Sequence, residues 1–364
     1  MNIDFANLTY QHELYKDEIE EAILKVARNC NFIMGSEISE FEAELEKYIG
    51  VKYAISCSSG TDAILMALMA IDIKPGDEVI TTPFTFIATS EMIALLGAKP
   101  VFVDIDEKTY NIDANKIEAA ITSKTKAILP VSLYGQPADM DEILNIANKY
   151  NLKVIVDGAQ SFGSTFNEIK DLALGDIATT SFFPAKPLGC YGDGGAIFTN
   201  NENFAKKIRS LRLHGQSKRY HHQYIGIGGR LDTIQAAVLL VKLAHYKKDL
   251  TLRQDVALKY TNALHGKDVI LPYIDSRAKS AWAQYSIRVK NRDEIQLKLK
   301  EVGIPTAVHY PMPLHLQECF KYLGYKSGDF PIAEMISNEI MSLPMNPYLT
   351  KNEINYISEK FTSL

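Results

Sequence analysis

Ser181-Phe182-Phe183-Pro184-Ala185-Lys186, followed by the glycine-rich run 187–195, is the stretch around which this sequence is organised. Lys186 lies between an aromatic segment interrupted by proline and a run rich in glycine, and neither favours regular structure. Upstream, the apolar run 154–156 ends in Asp157, the pattern of a buried strand with a carboxylate at its end. We therefore predict that a loop holds Lys186 in a fixed place and that Asp157 closes a strand.

These two residues suggest a specific chemistry. Burial lowers the pKa of a lysine, which can then bond covalently to a carbonyl carbon. Pyridoxal phosphate is the usual carbonyl, and its ring nitrogen needs an anionic partner such as an aspartate at a strand end. Lys186 and Asp157 fit these roles, with Gln160 three residues beyond the aspartate. Taken singly, each is more often a solvated loop residue, so a phosphate site is needed to support the interpretation.

Residues 57–62, Cys-Ser-Ser-Gly-Thr-Asp, supply that candidate phosphate site. They follow a strand-like run and precede the helix-like run 63–68, so Gly60 and Thr61 fall at a helix N-terminus. Free N–H groups and the helix dipole favour a phosphate there. Ser181 adds a hydroxyl just before the lysine stretch. An ordinary helix cap would explain the same residues if they stood alone.

The order of the elements predicts the fold class. Short apolar runs alternate with helix-like segments, which is typical of a parallel sheet with crossover helices. The predicted strands lie near Ala54 and at 78–81, 100–103, 127–131, 154–156, 177–181 and 196–199. We predict an α/β fold with a large domain (1–245) built on a mainly parallel seven-stranded sheet, and a smaller α+β domain (246–364) on which the N-terminal segment packs. Helices are expected at 13–28, 39–48 and 231–246.

Composition narrows the functional classes. The 364 residues are 46% apolar and 23% charged, with a formal net charge of −5, which argues against disorder and against a nucleic-acid surface. The four cysteines are scattered without metal-like spacing, so reduced thiols and no metal site are expected. No signal-like or membrane-spanning run is present, and a cytoplasmic location follows as an expectation.

Arginines and histidines concentrate at residues 209–230, which we call the basic segment. A solvated helix face would explain some of them, but the interleaved Gly215 and Tyr220 favour a binding loop. Arg219 and Arg230 suit a pyrophosphate or a sugar carboxylate equally well.

The chain resembles the DegT/DnrJ/EryC1/StrS family of sugar aminotransferases, from about Phe5 to Tyr348. The motifs that carry the resemblance are residues 59–63 (Ser-Gly-Thr-Asp-Ala), 83–89 (Pro-Phe-Thr-Phe-Ile-Ala-Thr), 157–163 (Asp-Gly-Ala-Gln-Ser-Phe-Gly) and the Lys186 stretch. It implies a fold type I pyridoxal 5'-phosphate enzyme that alternates with its pyridoxamine form. Such an enzyme takes an amine from L-glutamate, releases 2-oxoglutarate and passes the amine to a keto sugar.

The resemblance also implies site residues. Lys186 holds the cofactor and moves a proton, and the other expected cofactor residues are Gly60, Thr61, Phe86, Asp157, Gln160, Ser181 and Gly228. Phe86 covers the ring, whereas Phe84 is expected in the core. Gly228 stands where relatives carry an asparagine that contacts the phosphate across a subunit interface, and its N–H is the expected replacement. The expected sugar-binding residues are Arg219, Tyr220, Arg230, His309 and Tyr310, in a homodimer with shared active sites.

Residues 212–216 with 219–222, 229–233 and 305–311 are closest to family members that aminate the 3-keto group of a UDP-linked 2-acetamido-2-deoxy sugar, either the glucosamine derivative or its uronic acid. The implied product is a 3-amino sugar for a surface glycan or lipid A. Amination at C4 of a 4-keto-6-deoxy sugar is the alternative. A related dehydratase would carry histidine in place of Lys186. A regulator would need a DNA-binding domain, and a plain binding module would not need Lys186.

Overall fold

A seven-stranded sheet is at the centre of this computed structural model, which describes residues 3–364. The strands of the described residues are β1 Tyr53–Cys57, β2 Glu78–Thr81, β3 Lys99–Phe102, β4 Thr125–Ile128, β5 Lys153–Asp157, β6 Thr165–Phe166, β7 Ile169–Lys170, β8 Ile177–Ser181, β9 Gly195–Thr199, β10 Gln216–Lys218, β11 His221–His222, β12 Ala278–Lys279, β13 Tyr285–Arg288 and β14 Ile340–Leu343. The central sheet has the order β1-β9-β8-β5-β4-β2-β3.

Helices cover the sheet and continue beyond it. Within the described range they are α1 Leu8–Leu14, α2 Lys16–Asn29, α3 Ser36–Ile49, α4 Gly60–Ala70, α5 Ala88–Leu95, α6 Ala114–Ile117, α7 Met140–Tyr150, α8 Glu202–Leu211, α9 Thr233–Leu264, α10 Arg292–Glu301, α11 Pro331–Glu339 and α12 Lys351–Thr362. Local chemistry fixes several of their ends. Ser59 caps α4 by accepting from the Asp62 N–H, and Thr350 with Glu353 forms a capping box on α12.

The direction of the strands brings several strand ends to one edge. The pairs β2–β3, β2–β4, β4–β5 and β5–β8 are parallel, whereas β9 runs antiparallel to both β8 and β1. Because β9 opposes both neighbours, β1 points the same way as β8. The C-terminal ends of β1, β2, β4, β5 and β8 therefore meet at the same edge, the usual ligand edge of an α/β sheet. The predicted α/β fold with a mainly parallel seven-stranded sheet is confirmed.

Both faces of the sheet are buried, which explains the continuous apolar runs of its strands. Along β5, Val154 and Val156 pack on the face covered by α3 and α9, whereas Ile155 packs on the face of α4 and α8. This alternation is the period of two expected of a strand whose two faces both meet helices.

A separate apolar core lies beyond the sheet. It joins the C-terminal half of α9 to β13, β14 and α12, and its fully buried members include Tyr260, Tyr285 and Ile357. Ile3 packs into it, and the Phe5 carbonyl accepts from the Met345 N–H at 3.2 Å. The N-terminal residues thus contact this second core, while the division at 245/246 stays a prediction.

Two predicted helices differ from those observed. The helix expected at 13–28 is two helices, α1 and α2, which meet at the buried Tyr15. The helix expected at 231–246 continues to Leu264 as α9. The apolar pattern is interrupted after Tyr246 because Asp249 is buried there, where it accepts hydrogen bonds from the hydroxyls of Tyr15 and Tyr348 at 3.3 and 2.9 Å. These hydrogen bonds allow the polar Asp249 to be buried, so α9 continues where its apolar periodicity is broken.

Candidate active site

A cavity of about 490 Å³ opens at the edge where the parallel strands end. Nine of the residues expected in the site line it: Gly60, Thr61, Phe86, Asp157, Gln160, Ser181, Lys186, His309 and Tyr310. They come from segments that follow β1, β2, β5 and β8, and from the 304–312 region next to the second core. The sheet thus brings together residues that are far apart in sequence.

Asp157 is the last residue of β5 and is buried. Its Oδ2 accepts from the Thr89 hydroxyl at 2.7 Å, and its Oδ1 accepts from the Ala159 N–H at 3.1 Å. Burial raises the pKa of this carboxyl, while the two hydrogen bonds and the Lys186 ammonium lower it. The carboxylate is therefore fixed in direction and turned towards the cavity.

Lys186 lies across the cavity, in the loop between β8 and β9. Burial lowers the pKa of its amine, opposed by the charge of Asp157. The backbone N–H of Lys186 donates to the Phe183 carbonyl at 2.8 Å, and this hydrogen bond closes a tight turn. Gly189 permits that turn, because a Cβ there would lie 2.3 Å from the Pro184 carbonyl oxygen. The loop thus holds a partly desolvated amine near a carboxylate, as the sequence predicts.

The N-terminus of α4 forms a cradle beside this pair. At Gly60 a Cβ would lie 2.7 Å from the Cβ of Ser181, and at Gly195 a Cβ would lie 2.5 Å from the Ser59 carbonyl. The two glycines therefore allow β8 and β9 to approach the helix end closely. The first N–H groups of α4 have no acceptor within the helix and are next to the Ser181 hydroxyl. An anion such as a phosphate suits this position.

The wall formed by Gln160, His309 and Tyr310 is connected by hydrogen bonds. The Gln160 side chain accepts from the Tyr134 N–H at 2.8 Å and donates to the Tyr310 hydroxyl at 3.2 Å. His309 Nδ1 is 3.1 Å from the Ser342 hydroxyl, and the His309 carbonyl accepts from the Tyr134 hydroxyl. Burial, with a contribution from Lys186, lowers the pKa of His309 to about 4. The imidazole is therefore neutral at physiological pH.

The two phenylalanines after β2 differ in burial, as predicted. Phe84 is fully buried, whereas Phe86 is 52% exposed and lines the cavity, with its ring centre 6.3 Å from that of Tyr310. The prediction that Phe84 belongs to the core is confirmed. Phe86 is free to lie on a planar ligand.

The sequence did not single out Thr89, Tyr134 or Asp193. Thr89 orients Asp157, Tyr134 holds both Gln160 and His309, and Asp193 lines the cavity. Thr89 ends the 83–89 motif, and Asp193 lies in the glycine-rich run after Lys186, so each had a positional signal. Tyr134 had none, because its role depends on how the chain turns after β4.

The basic segment does not reach this cavity within the chain. Arg219, Tyr220, Gly228 and Arg230 are not among the lining residues. Arg219 stacks over the Tyr220 ring at 5.1 Å, and Tyr220 is 76% exposed. At Gly228 a Cβ would lie 3.1 Å from the His214 ring. The expectation that this segment serves a neighbouring subunit stays a prediction.

Arg212 in the basic segment and His315 near the 305–311 motif both contact other residues of the fold. Arg212 is 3% exposed, pairs with Glu42 and donates to the Ser56 carbonyl at 2.7 Å, so it braces β1 and α3. His315 is buried and lies 3.0 Å from a Glu334 carboxylate oxygen. The polar contacts found for Arg212 and His315 are therefore made within the fold.

Within residues 3–364, no group of three or more histidine, cysteine or acidic side chains has the arrangement of a metal site. None of the helices described there is both long and apolar enough to pass through a bilayer.

The cavity residues fit pyridoxal phosphate. An amine of lowered pKa faces a buried carboxylate, and a helix N-terminus with two close glycine contacts offers a place for a phosphate. Phe86 and the Gln160 wall leave room for a flat ring between them.

Known proteins resemble the chain over its length. A sequence model of the DegT/DnrJ/EryC1/StrS aminotransferase family matches residues 13–362. A UDP-2-acetamido-2-deoxy-3-oxo-D-glucuronate aminotransferase from Pseudomonas aeruginosa is 48% identical over 361 residues, covering 99% of this chain and 100% of that protein. A UDP-N-acetyl-3-dehydro-alpha-D-glucosamine 3-aminotransferase from Acidithiobacillus ferrooxidans is 41% identical, covering 94% of this chain and 92% of that protein.

A solved structure agrees with these sequences. The crystal structure of a DegT DnrJ EryC1 StrS aminotransferase from Brucella abortus superposes with a TM-score of 0.96 at 42% identity, covering 100% of this chain and 99% of that chain.

Proposed function

Because the chain belongs to the DegT/DnrJ/EryC1/StrS aminotransferase family, we propose that it transfers an amino group from L-glutamate to the C3 keto group of a UDP-linked 2-acetamido-2-deoxy-3-keto sugar. It is a nucleotide-sugar aminotransferase, and its cofactor is pyridoxal phosphate. The two relatives described above support the 3-keto substrate, since both are named for amination at that position.

One observation carries the proposal: the Lys186 amine, the Asp157 carboxylate and the α4 N-terminus meet in one cavity. When bound, pyridoxal phosphate carries the amine and stabilises the negative charge that develops on the substrate carbon. Lys186 would hold the cofactor by its ε-amino group, and Asp157 would face the ring nitrogen. Gly60, Thr61 and Ser181 would hold the phosphate, and Phe86 and Gln160 would position the ring.

Lys186 is also the proposed general acid and base. An amine of lowered pKa exchanges protons near neutral pH more readily than an ordinary lysine. In the first half of the reaction it would remove the proton from the carbon that bears the donor's amine, and in the second half it would deliver a proton to the sugar carbon that accepts the amine. Asp157 would stay ionised through this exchange, because Thr89 and the Ala159 N–H both donate to it.

The sugar site would be completed by a second copy of the chain. The cavity lining contains His309 and Tyr310 but no arginine, although the substrate carries a pyrophosphate. Arg219, Tyr220 and Arg230 would reach the neighbouring subunit's cavity, where the Gly228 N–H would contact the cofactor phosphate.

The four cysteines are all free, which agrees with a reducing cytoplasm as the place of reaction.

The test is the visible absorption of the protein with pyridoxal phosphate, recorded after adding glutamate and then each UDP-3-keto sugar. We expect glutamate to bleach the visible absorption band of the bound cofactor and a UDP-3-keto sugar to restore this band. Recovery with only the uronate or only the neutral sugar identifies the physiological substrate. Recovery with only a 4-keto-6-deoxy sugar would overturn the C3 assignment, and a protein that takes up no cofactor would overturn the whole proposal.

Mixed dimers test the shared site. Lys186→Ala and Arg230→Met chains, each inactive alone, should regain activity when refolded together, because one hybrid site then has both intact residues. Mixing Lys186→Ala with Asp157→Asn is the control, since both residues belong to the same cavity of one chain. No gain of activity in the first mixture would place Arg230 outside the partner's site.

A further inference from the structure

Two side chains of α9 form hydrogen bonds with the loop that follows Lys186. The Lys242 ammonium donates to the Gly189 carbonyl at 2.8 Å, and the Gln235 side chain accepts from the Tyr191 N–H at 2.8 Å. Lys242 and Gln235 are two helical turns apart, so both project from one face of α9. Neither lines the cavity.

Lys242 is an unusual residue for this position. It is only 4% exposed, and its ammonium contacts a carbonyl and the face of the Tyr191 ring, 4.8 Å from the ring centre. Burial lowers its pKa to about 8. A buried ammonium that contacts a neutral carbonyl and a ring costs free energy that an apolar side chain would not. A role for the hydrogen bond between Lys242 and Gly189 would explain why a lysine occupies this buried position.

This loop, residues 189–191, also contacts the residues that precede Lys186. The Cys190 N–H donates to the Phe182 carbonyl at 2.8 Å, so Gly189 and Cys190 close back on the residues that precede the lysine. Gly189 also packs closely on the backbone of Pro184, since a Cβ there would lie 2.3 Å from the Pro184 carbonyl oxygen. Tyr191 continues the connection, because its hydroxyl is 2.8 Å from His12 Nδ1 on α1. Movement of Gly189 would therefore move the Lys186 backbone.

We propose that Lys242 and Gln235 are positioning residues for Lys186, which fix residues 189–191 against α9 and so set the direction of the Lys186 amine. The proposal rests on the assignment of Lys186 as the cofactor lysine. It gives a role to two side chains that do not line the cavity.

The test uses Lys242→Met, which keeps an unbranched side chain of similar length and removes the donor. We measure amide hydrogen exchange of residues 182–195 in the cofactor-free protein, and then the rate at which it takes up pyridoxal phosphate. Loss of one hydrogen bond should raise the exchange rate of this loop about tenfold and slow uptake. The melting temperature of the cofactor-free protein should not fall, because the buried charge is also removed.

Lys248→Met is the matched control, since Lys248 is an exposed lysine on the same helix. Gln235→Leu should act as Lys242→Met does, whereas Gln235→Glu keeps the acceptor oxygen and should preserve loop exchange. If Lys242→Met lowers the melting temperature, the Gln235 pair decides the question. Wild-type loop exchange in Lys242→Met, or in Gln235→Leu, would overturn the proposal.

Failure here is distinguishable from failure of the proposed function. Loop exchange is measured without cofactor, so it does not depend on the reaction. A Lys186→Ala protein that still bound pyridoxal phosphate covalently would instead refute the assignment of Lys186, whatever the loop did.

Discussion

Two sets of residues were expected to bind ligands: the basic segment, and Lys186, Asp157 and Gly60, which we call the cavity cluster. In the structure, only the cavity cluster lines the cavity. Lys186, Asp157 and Gly60 are far apart in the chain, but each lies at or just after the end of a strand of the same sheet, and all three line one cavity. The arginines of residues 209–230 are close in sequence, but Arg212 is buried in an ion pair while Arg219 is outside the cavity. Position at a strand end predicts a shared site better than local density of charge.

The physical reason is that a parallel sheet fixes where its strand ends lie, whereas neighbouring residues of a loop can face opposite directions. Arg212 directly follows the last residue of α8, and its side chain points into the fold, where it pairs with Glu42 and donates to the Ser56 carbonyl. Seven residues later, Arg219 is in a hairpin between β10 and β11 and faces outwards. Each of the following experiments tests one side of this contrast.

The largest effect is expected for Lys186→Ala. On the proposed mechanism, removal of the amine removes both the covalent hold on the cofactor and the general base, so turnover should fall by at least about 10⁴-fold. Steady-state rates with glutamate and a UDP-3-keto sugar measure it, and circular dichroism checks the fold. Near-normal turnover would mean that the cavity cluster is not the catalytic centre.

Arg212→Met should be the largest effect on stability. It leaves the Glu42 carboxylate without its cation in a buried place, which should lower the free energy of unfolding by about 3–5 kcal/mol. Denaturant unfolding of the cofactor-free protein measures the change. Arg219→Met is the matched control and should shift stability by less than about 0.5 kcal/mol. Equal effects of the two would contradict the division of the basic segment.

Asp157→Asn should reduce turnover by about 10²-fold, the loss expected when a neutral amide replaces the charge facing the ring nitrogen. The position is otherwise preserved, because the amide oxygen can still accept from Thr89 or the Ala159 N–H. Thr89→Val separates charge from orientation and should cost at most about tenfold. A larger loss in Thr89→Val than in Asp157→Asn would show that orientation matters more than charge.

The smallest effect concerns pH. The pKa of His309 is about 4 in the folded protein, against 6.5 for an ordinary histidine. As pH falls below about 6.5, the unfolded chain takes up this proton first, so acidification favours unfolding until about pH 4. At pH 5 the wild type should have lost of the order of 1–2 kcal/mol more stability than His309→Gln. Parallel pH profiles of the two proteins would contradict a neutral, buried imidazole.

The sequence predicted many of the residues that line the cavity because they follow from local pattern. An apolar run ending in Asp157, a small polar turn before α4 and a glycine-rich loop around Lys186 each describe their own geometry. What it missed depends on contacts distant in sequence. Tyr134 reaches His309, and Asp249 holds Tyr348, through turns and packing that no short window of residues records.

The length of α9 was missed for the same reason. The residues after Tyr246 look like a helix end because Lys247, Lys248 and Asp249 follow one another. The helix continues because its C-terminal half packs into the second core through Val256, Tyr260 and Leu264. Tertiary burial, rather than the polar run, decides where it ends.

The antiparallel pairing of β1 with β9 has a consequence for the order of folding. Tyr53 pairs with Thr199 and Cys57 with Gly195, and among the strands of residues 3–364 β9 is the only neighbour of β1. During synthesis, β1 must wait for β9, so it is exposed as an unpaired strand until the ribosome has passed the Lys186 loop. The N-terminus of α4, where the phosphate is proposed to bind, is therefore assembled by the same late event that encloses Lys186. A nascent chain that stalls before Thr199 would expose an apolar edge and lack a cofactor site.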